Sequence, residues 1–117
     1  MLLKSNGKII ASDMEFAQSF LSQTLGLMFR KNIQNDYALV FEMRKPKQVS
    51  LHMLFVRFPI DVLFLDESKT ITKTAQLSPW TGRVSSGEKV KYIIEMPDGA
   101  ILKNDLVVGM QVSFEFS

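Results

Sequence analysis

The chain carries one histidine, His52, and a short way downstream an aspartate, Asp61, set inside an apolar run. An imidazole gives and takes protons near neutral pH, so His52 reads as a general base or as a ring that contacts a ligand. The plainer alternative, a half-buried histidine hydrogen-bonded to backbone, is favoured over catalysis. Asp61 interrupts the segment Ile60 to Leu65, where a carboxylate costs free energy unless donors surround it. It could orient His52 or accept a ligand's hydrogen bond. Satisfying backbone N–H groups left open at the strand start is the favoured role. No Gly-x-Ser-x-Gly elbow accompanies the pair, so the hydrolase signal is weak.

Two further side chains complete the candidate set. Trp80 follows Pro79 and stands beside Thr81-Gly82-Arg83, where an aromatic and a nearby cation could wall a ligand site. A lid side chain folded over one end of the molecule is an equal reading. Arg30 follows an apolar turn and could bind an anion or a carboxylate such as Asp61, although an ordinary surface position is favoured. The basic stretch Arg44-Lys45-Pro46-Lys47, with Arg30-Lys31 and with Lys89 and Lys91 elsewhere, invites a nucleic-acid reading. No aromatic interleaves with it and no recognised reader motif is present, so nucleic acid is disfavoured as a partner.

Composition removes whole classes of chemistry. There is no cysteine among the 117 residues, which excludes disulfides, thiolate zinc sites, iron–sulfur ligation and cysteine nucleophiles. One histidine cannot make a His-rich metal site. Asp66, Glu67, Asp98 and Asp105 lack the spacing of a calcium loop, and no phosphate-cradling glycine motif occurs. No cofactor and no metal are therefore expected. Fourteen basic against twelve acidic residues leave a formal charge of +2, too small to set up a strong field. Met1-Leu2-Leu3 is broken by Lys4, Ser5, Asn6 and Gly7, and no run is long enough to cross a bilayer. A soluble cytoplasmic protein with no membrane partner is the expectation. An apolar fraction of 46% at this length suits one globular domain over 1–117.

These side chains need elements to hold them. Asn6-Gly7, both tolerant of positive φ, predicts a tight hairpin between Leu2–Ser5 and Lys8–Ile10. Ser12 with Glu15 three residues on forms a capping-box pattern, and Phe16, Ala17, Phe20 and Leu21 fall on one helical stripe that Gly26 would end. From Tyr37 the period becomes two. Strands are predicted over Tyr37–Met43, Val49–Phe55, Ile60–Leu65, Thr70–Ala75 and Val90–Met96, with a last one carrying Val112, Phe114 and Phe116 inward. In Val90–Met96, Lys91, Ile93 and Glu95 take the face opposite Tyr92, Ile94 and Met96. Leu77–Gly87 reads as a long loop, and Ala100–Leu106 as one or two helical turns. The expected fold class is α+β and mainly β: a compact antiparallel barrel-like or curled sheet with a helix in the N-terminal half and one or two short helices.

Several of these segments, in this order and spacing, carry a family resemblance. They are Gly26-Leu27-Met28-Phe29-Arg30, His52 to Phe55 running into Phe58-Pro59-Ile60-Asp61-Val62-Leu63-Phe64-Leu65-Asp66, Leu77-Ser78-Pro79-Trp80, Ile94-Glu95-Met96-Pro97-Asp98-Gly99 and Gly109. The chain resembles the small prokaryotic family called domain of unknown function one hundred and ninety-two, in its archaeal form. The resemblance implies a compact β-rich fold with short helices and brings no established activity. Two departures stand out. Many relatives carry Trp-Met-Lys-Asn-Thr where this chain has His52-Met53-Leu54-Phe55-Val56, and relatives place an acid where Met110 follows Gly109.

The leading functional expectation is a non-enzymatic binding or accessory domain, its pocket lined by His52, Asp61, Trp80 and Arg30, with a small molecule or a protein as partner. The alternatives are a small hydrolase or transferase using His52 and Asp61, and a weak RNA-binding module using the basic loops.

Overall fold

A computed structural model describes residues 3–17, 27 and 30–114. Nine strands and one helical turn are formed among them. The strands are β1 (Leu3–Ser5), β2 (Lys8–Ala11), β3 (Asp13–Ala17), β4 (Tyr37–Lys47), β5 (Ser50–His52), β6 (Ile60–Leu65), β7 (Ile71–Leu77), β8 (Arg83–Ser85) and β9 (Val90–Pro97). The helix, α1, spans Ala100–Lys103.

A five-stranded sheet in the order β3-β4-β9-β6-β7 forms the centre, and two ribbons, β1-β2 and β5-β8, flank it. The Asn6-Gly7 hairpin is present, with φ of 52° and 77° at the two turn residues. Such values match the twist of an antiparallel ribbon. The polar turn after Leu65 joins β6 to β7 as an antiparallel pair, with Val62 opposite Ala75 and Leu63 opposite Thr74.

The central sheet is apolar on both faces, which is why β6 and β9 read as almost unbroken hydrophobic runs. One face presents Leu39, Phe41, Val62, Phe64 and Ile93 to Leu51, Met53, Val56 and Leu27. The other presents Val40, Leu63, Leu65, Ile94 and Met96 to Leu3, Leu106, Val112 and Phe114. Each such fully buried side chain contributes roughly 1.5–3 kcal/mol. The C-terminal segment is pinned by Lys69, whose Nζ donates to the Phe114 carbonyl at 2.5 Å and lies 4.4 Å from the Phe114 ring centre.

Several expectations are corrected. Residues 13–17, assigned to a helix by the Ser12–Glu15 pattern, form β3 and pair in parallel with β4, Asp13 opposite Tyr37 and Ala17 opposite Phe41. Ser12 does not cap a helix. Its hydroxyl donates to Asp36 Oδ2 at 2.6 Å, and the N–H groups of Ser12 and Asp13 both donate to the Asp36 carbonyl. Met14 and Phe16 pack on one side of the sheet and Ala17 on the other, so the tertiary ladder overrides the helical stripe. The remainder of that expected helix, through Gly26, lies outside the described residues.

The sheets are curled but do not close into a barrel, because β3 and β7 remain as edge strands of the central sheet. The antiparallel expectation holds for every pair except β3 with β4. Only one helical turn follows Gly99. Val112 and Phe114 point inward as expected, but their segment makes isolated bridges, Lys4 with Ser113 and Thr70 with Gln111. Phe116 lies outside the described residues.

Candidate ligand-binding groove

The expected loop Leu77–Gly87 contains a short strand, β8, and that strand creates the site. It pairs antiparallel with β5, placing Ser50 opposite Ser85, Leu51 opposite Val84, and His52 opposite Arg83. Alternation sends Leu51 and Val84 into the core, so Ser50, His52, Arg83 and Ser85 face outward. Their outer face bounds a groove of about 440 Å³ lined by those six residues. The Ser86 hydroxyl locks one end of the ribbon, accepting from the Val49 N–H at 3.1 Å and donating to the Glu88 carbonyl at 2.7 Å. At the other end the ladder continues as Met53 N–H to the Gly82 carbonyl at 2.9 Å.

Hydrogen bonding fixes the polarity of this face. His52 Nδ1 accepts from the Leu54 N–H at 3.3 Å, which leaves Nε2 as the protonated, donating nitrogen. Lys73 donates to the Ser85 carbonyl at 2.6 Å. Among the described residues the ion pairs are Arg30 with Glu15 and Lys91 with Glu42, and Arg83 enters neither.

Trp80 belongs to the same end of the molecule. Its backbone N–H donates to the Val56 carbonyl at 3.1 Å, and its ring meets Phe55 edge-on at 5.4 Å. Trp80 is 48% exposed and Leu54 49%. Phe55 and Trp80 both hold positive φ, 64° and 65°, which costs about 1–3 kcal/mol apiece for bulky residues. Gly82 sets the turn beneath them. A Cβ there would lie 2.6 Å from the Ser78 carbonyl oxygen, so only glycine fits without a shift.

The other two candidates sit elsewhere. Asp61 is fully buried on β6, on the sheet face that carries Leu63 and Met96, whereas the ribbon covers the opposite face through Leu51. Its Oδ2 accepts from the Ile101 N–H at 2.8 Å, and its Oδ1 has no hydrogen-bond partner among the described residues. Burial pushes its pKa up. The backbone N–H groups of Ile101 and Gly99 oppose that shift, and the Asp98 carboxylate adds to it. Arg30 binds Glu15 at 3.3 Å and donates to the Tyr37 hydroxyl at 3.2 Å. The carboxylate it meets is Glu15, not Asp61. The Tyr37 phenol is pushed up to about 12, chiefly by burial.

One titratable group was hidden from the sequence reading. Glu95, on β9, stands between Leu39 and Val62 and is only 8% exposed. Burial alone pushes its carboxyl up to about 8. Strict alternation assigns Glu95 to the face opposite Ile94. The signal that this face is also buried was Ile93, an apolar residue on the same face two positions away. Among the described residues no cluster of three or more His, Asp or Glu side chains could hold a metal ion. Arg44, Lys45 and Lys47 line a separate concavity of about 470 Å³.

The structure thus defines a mainly β domain with a donor-lined groove on its outer ribbon. Residues 1–114 match the family model described as an uncharacterised ACR, domain of unknown function 192, and the chain belongs to that family. A UPF0127 protein of Pyrococcus furiosus is 38% identical over 93% of this chain and 92% of its own length. One from Thermococcus sibiricus is 33% identical over 98% of this chain and 74% of its own. Among solved structures, a protein of unknown function from Novosphingobium aromaticivorans aligns with a TM-score of 0.83 at 17% identity, covering 97% of this chain and 82% of that one. A protein from Sinorhizobium meliloti aligns at 0.79 with 23% identity, covering 86% and 79%. At these identities the two structures speak for the fold alone. No helix among the described residues is long and apolar enough to cross a membrane.

Proposed function

We propose that this protein is a small-ligand-binding domain that works through the outer face of the β5–β8 ribbon, with no catalytic step of its own. The observation that carries the reading is the cross-strand pair His52–Arg83, two outward side chains over one groove on a ribbon anchored to the core by Leu51 and Val84. A rigid scaffold that presents a few convergent polar groups in a concavity is the usual form of a small-molecule site. Trp80 and Leu54 supply apolar surface at the end of the same ribbon. Asp61 and Arg30 are assigned supporting roles, Asp61 by holding α1 and Arg30 by tying β3 to β4 through Glu15 and Tyr37. The proposed compartment is the cytoplasm.

A fragment screen followed by backbone amide NMR tests this. The expected result is that the fragments which bind shift the amides of residues 50–54 and 80–85 together. Shifts confined to residues 44–47, or scattered over the surface, would remove the groove from consideration.

A further inference from the structure

The groove's chemistry narrows its ligand. Six residues line it, and none is acidic: Ser50, Leu51, His52, Arg83, Val84 and Ser85. Every side chain with a fixed polarity there is a donor. Arg83 brings a guanidinium fork that meets no carboxylate among the described residues. His52 has its Nδ1 committed to the Leu54 N–H, so the ring nitrogen left over is the one that donates. The Ser85 hydroxyl already accepts from the Gly87 N–H at 3.3 Å, which leaves its proton to give. The Lys73 ammonium, bonded to the Ser85 carbonyl, adds a second positive charge beside β8.

A groove that holds a guanidinium and further donors but no carboxylate is poorly matched to a cation and well matched to an anion. A guanidinium presents parallel N–H groups to the two oxygens of a carboxylate or phosphate, and such charge-assisted bonds are about twice as strong as neutral ones. We propose that the groove binds the anionic group of a small molecule, a carboxylate or a phosphate, gripped by Arg83 with His52 and Ser85 as neighbouring donors. The apolar part of that molecule runs toward Leu54 and Trp80. The proposal rests on the reading of this groove as the ligand site.

The chain carries its own reporters, because His52 is the sole histidine and Trp80 the sole tryptophan. Untagged protein is titrated with benzoate, with its neutral isostere benzamide, and with inorganic phosphate, following the ring protons of His52 by NMR and the fluorescence of Trp80. Benzoate or phosphate is expected to move the His52 signals and to bind at least ~10-fold more tightly than benzamide. Tighter binding of benzoate marks a carboxylate ligand, and tighter binding of phosphate marks a phosphorylated one. Arg83→Gln, at an exposed position, should weaken the preferred anion by ~10-fold or more, while Arg44→Gln leaves it unchanged.

Equal binding of benzoate and benzamide, or equal loss in R83Q and R44Q, overturns the anion assignment while leaving a groove that binds ligands. Silence of His52 and Trp80 toward all three probes overturns the groove itself along with it.

Discussion

The Asp61 carboxylate, on β6, caps the helix α1 from across the fold: its Oδ2 takes the N–H of Ile101, forty residues downstream, at 2.8 Å. The residue at the cap position itself is Gly99, with φ of 92° and no side chain to offer. A four-residue helix leaves its first N–H groups without internal partners, and a carboxylate from the neighbouring strand meets one of them. The aspartate that interrupts the apolar strand is therefore bonded to backbone, at a helix start and not at a strand start.

Asp61→Ala should lower the unfolding free energy by about 1–3 kcal/mol, through the lost cap and the part-buried Ile101 N–H left without its acceptor. Asp61→Asn retains an acceptor oxygen and should stay within about 1 kcal/mol of the parent. Urea unfolding at neutral pH measures both. An alanine variant as stable as the parent would show that the Asp61–Ile101 bond contributes nothing.

Glu95 gives a pH signature. Its carboxyl sits at about 8 in the folded protein against an ordinary 4.5, so the folded state holds a proton that the unfolded state has released. Stability from this group is complete below 4.5 and is lost as pH rises through about 8. The full loss amounts to roughly 5 kcal/mol at most, at about 1.36 kcal/mol per pKa unit. Glu95→Gln removes the titration. The difference in unfolding free energy between E95Q and the parent should grow in favour of E95Q from pH 5 to pH 8, and a difference that stays flat contradicts it.

Gly82→Ala should destabilise by about 1–3 kcal/mol, because the new methyl meets Ser78 backbone atoms at 2.6 and 2.8 Å. An alanine at an unstrained glycine position would instead stabilise by about 0.4–1 kcal/mol, so the sign is diagnostic. The Trp80 emission spectrum should shift in the same variant, since this turn carries the ring. Thermal unfolding and fluorescence together provide the check.

Arg30→Ala should cost less than about 1 kcal/mol, because its pairing with Glu15 is largely open to solvent. A loss of several kcal/mol on chemical unfolding would mean that Arg30 holds β3 to β4 far more strongly than an exposed pair can.

Much of the scaffold was legible because its signals were local. Asn6-Gly7 favours a tight hairpin turn, and the apolar run Ile60–Leu65 and the alternation of Val90–Met96 both read as strand. What escaped notice depended on distant partners. Ser12 and Glu15 carry a helix-start pattern, yet Asp36 and the edge of β4 capture that segment as β3. The alternation of β9 is real, but a sheet covered on both sides buries Glu95 as well as Ile94. His52 and Trp80 were recognisable by residue type alone. Arg83 was noticed only as a neighbour of Trp80, because nothing in Leu77–Gly87 announces that three of its residues pair with β5. Asp61 stood out for the right reason, an acid in an apolar strand, but its partner lies forty positions away.

The central claim is that the His52–Arg83 face of the β5–β8 ribbon receives a ligand. Crystals soaked with a fragment set that includes benzoate test it most directly. The account predicts a fragment seated between His52 and Arg83, with an oxygen within hydrogen-bonding reach of the guanidinium. Fragments bound only elsewhere, such as in the concavity lined by Arg44, Lys45 and Lys47, with this groove vacant throughout, would contradict it.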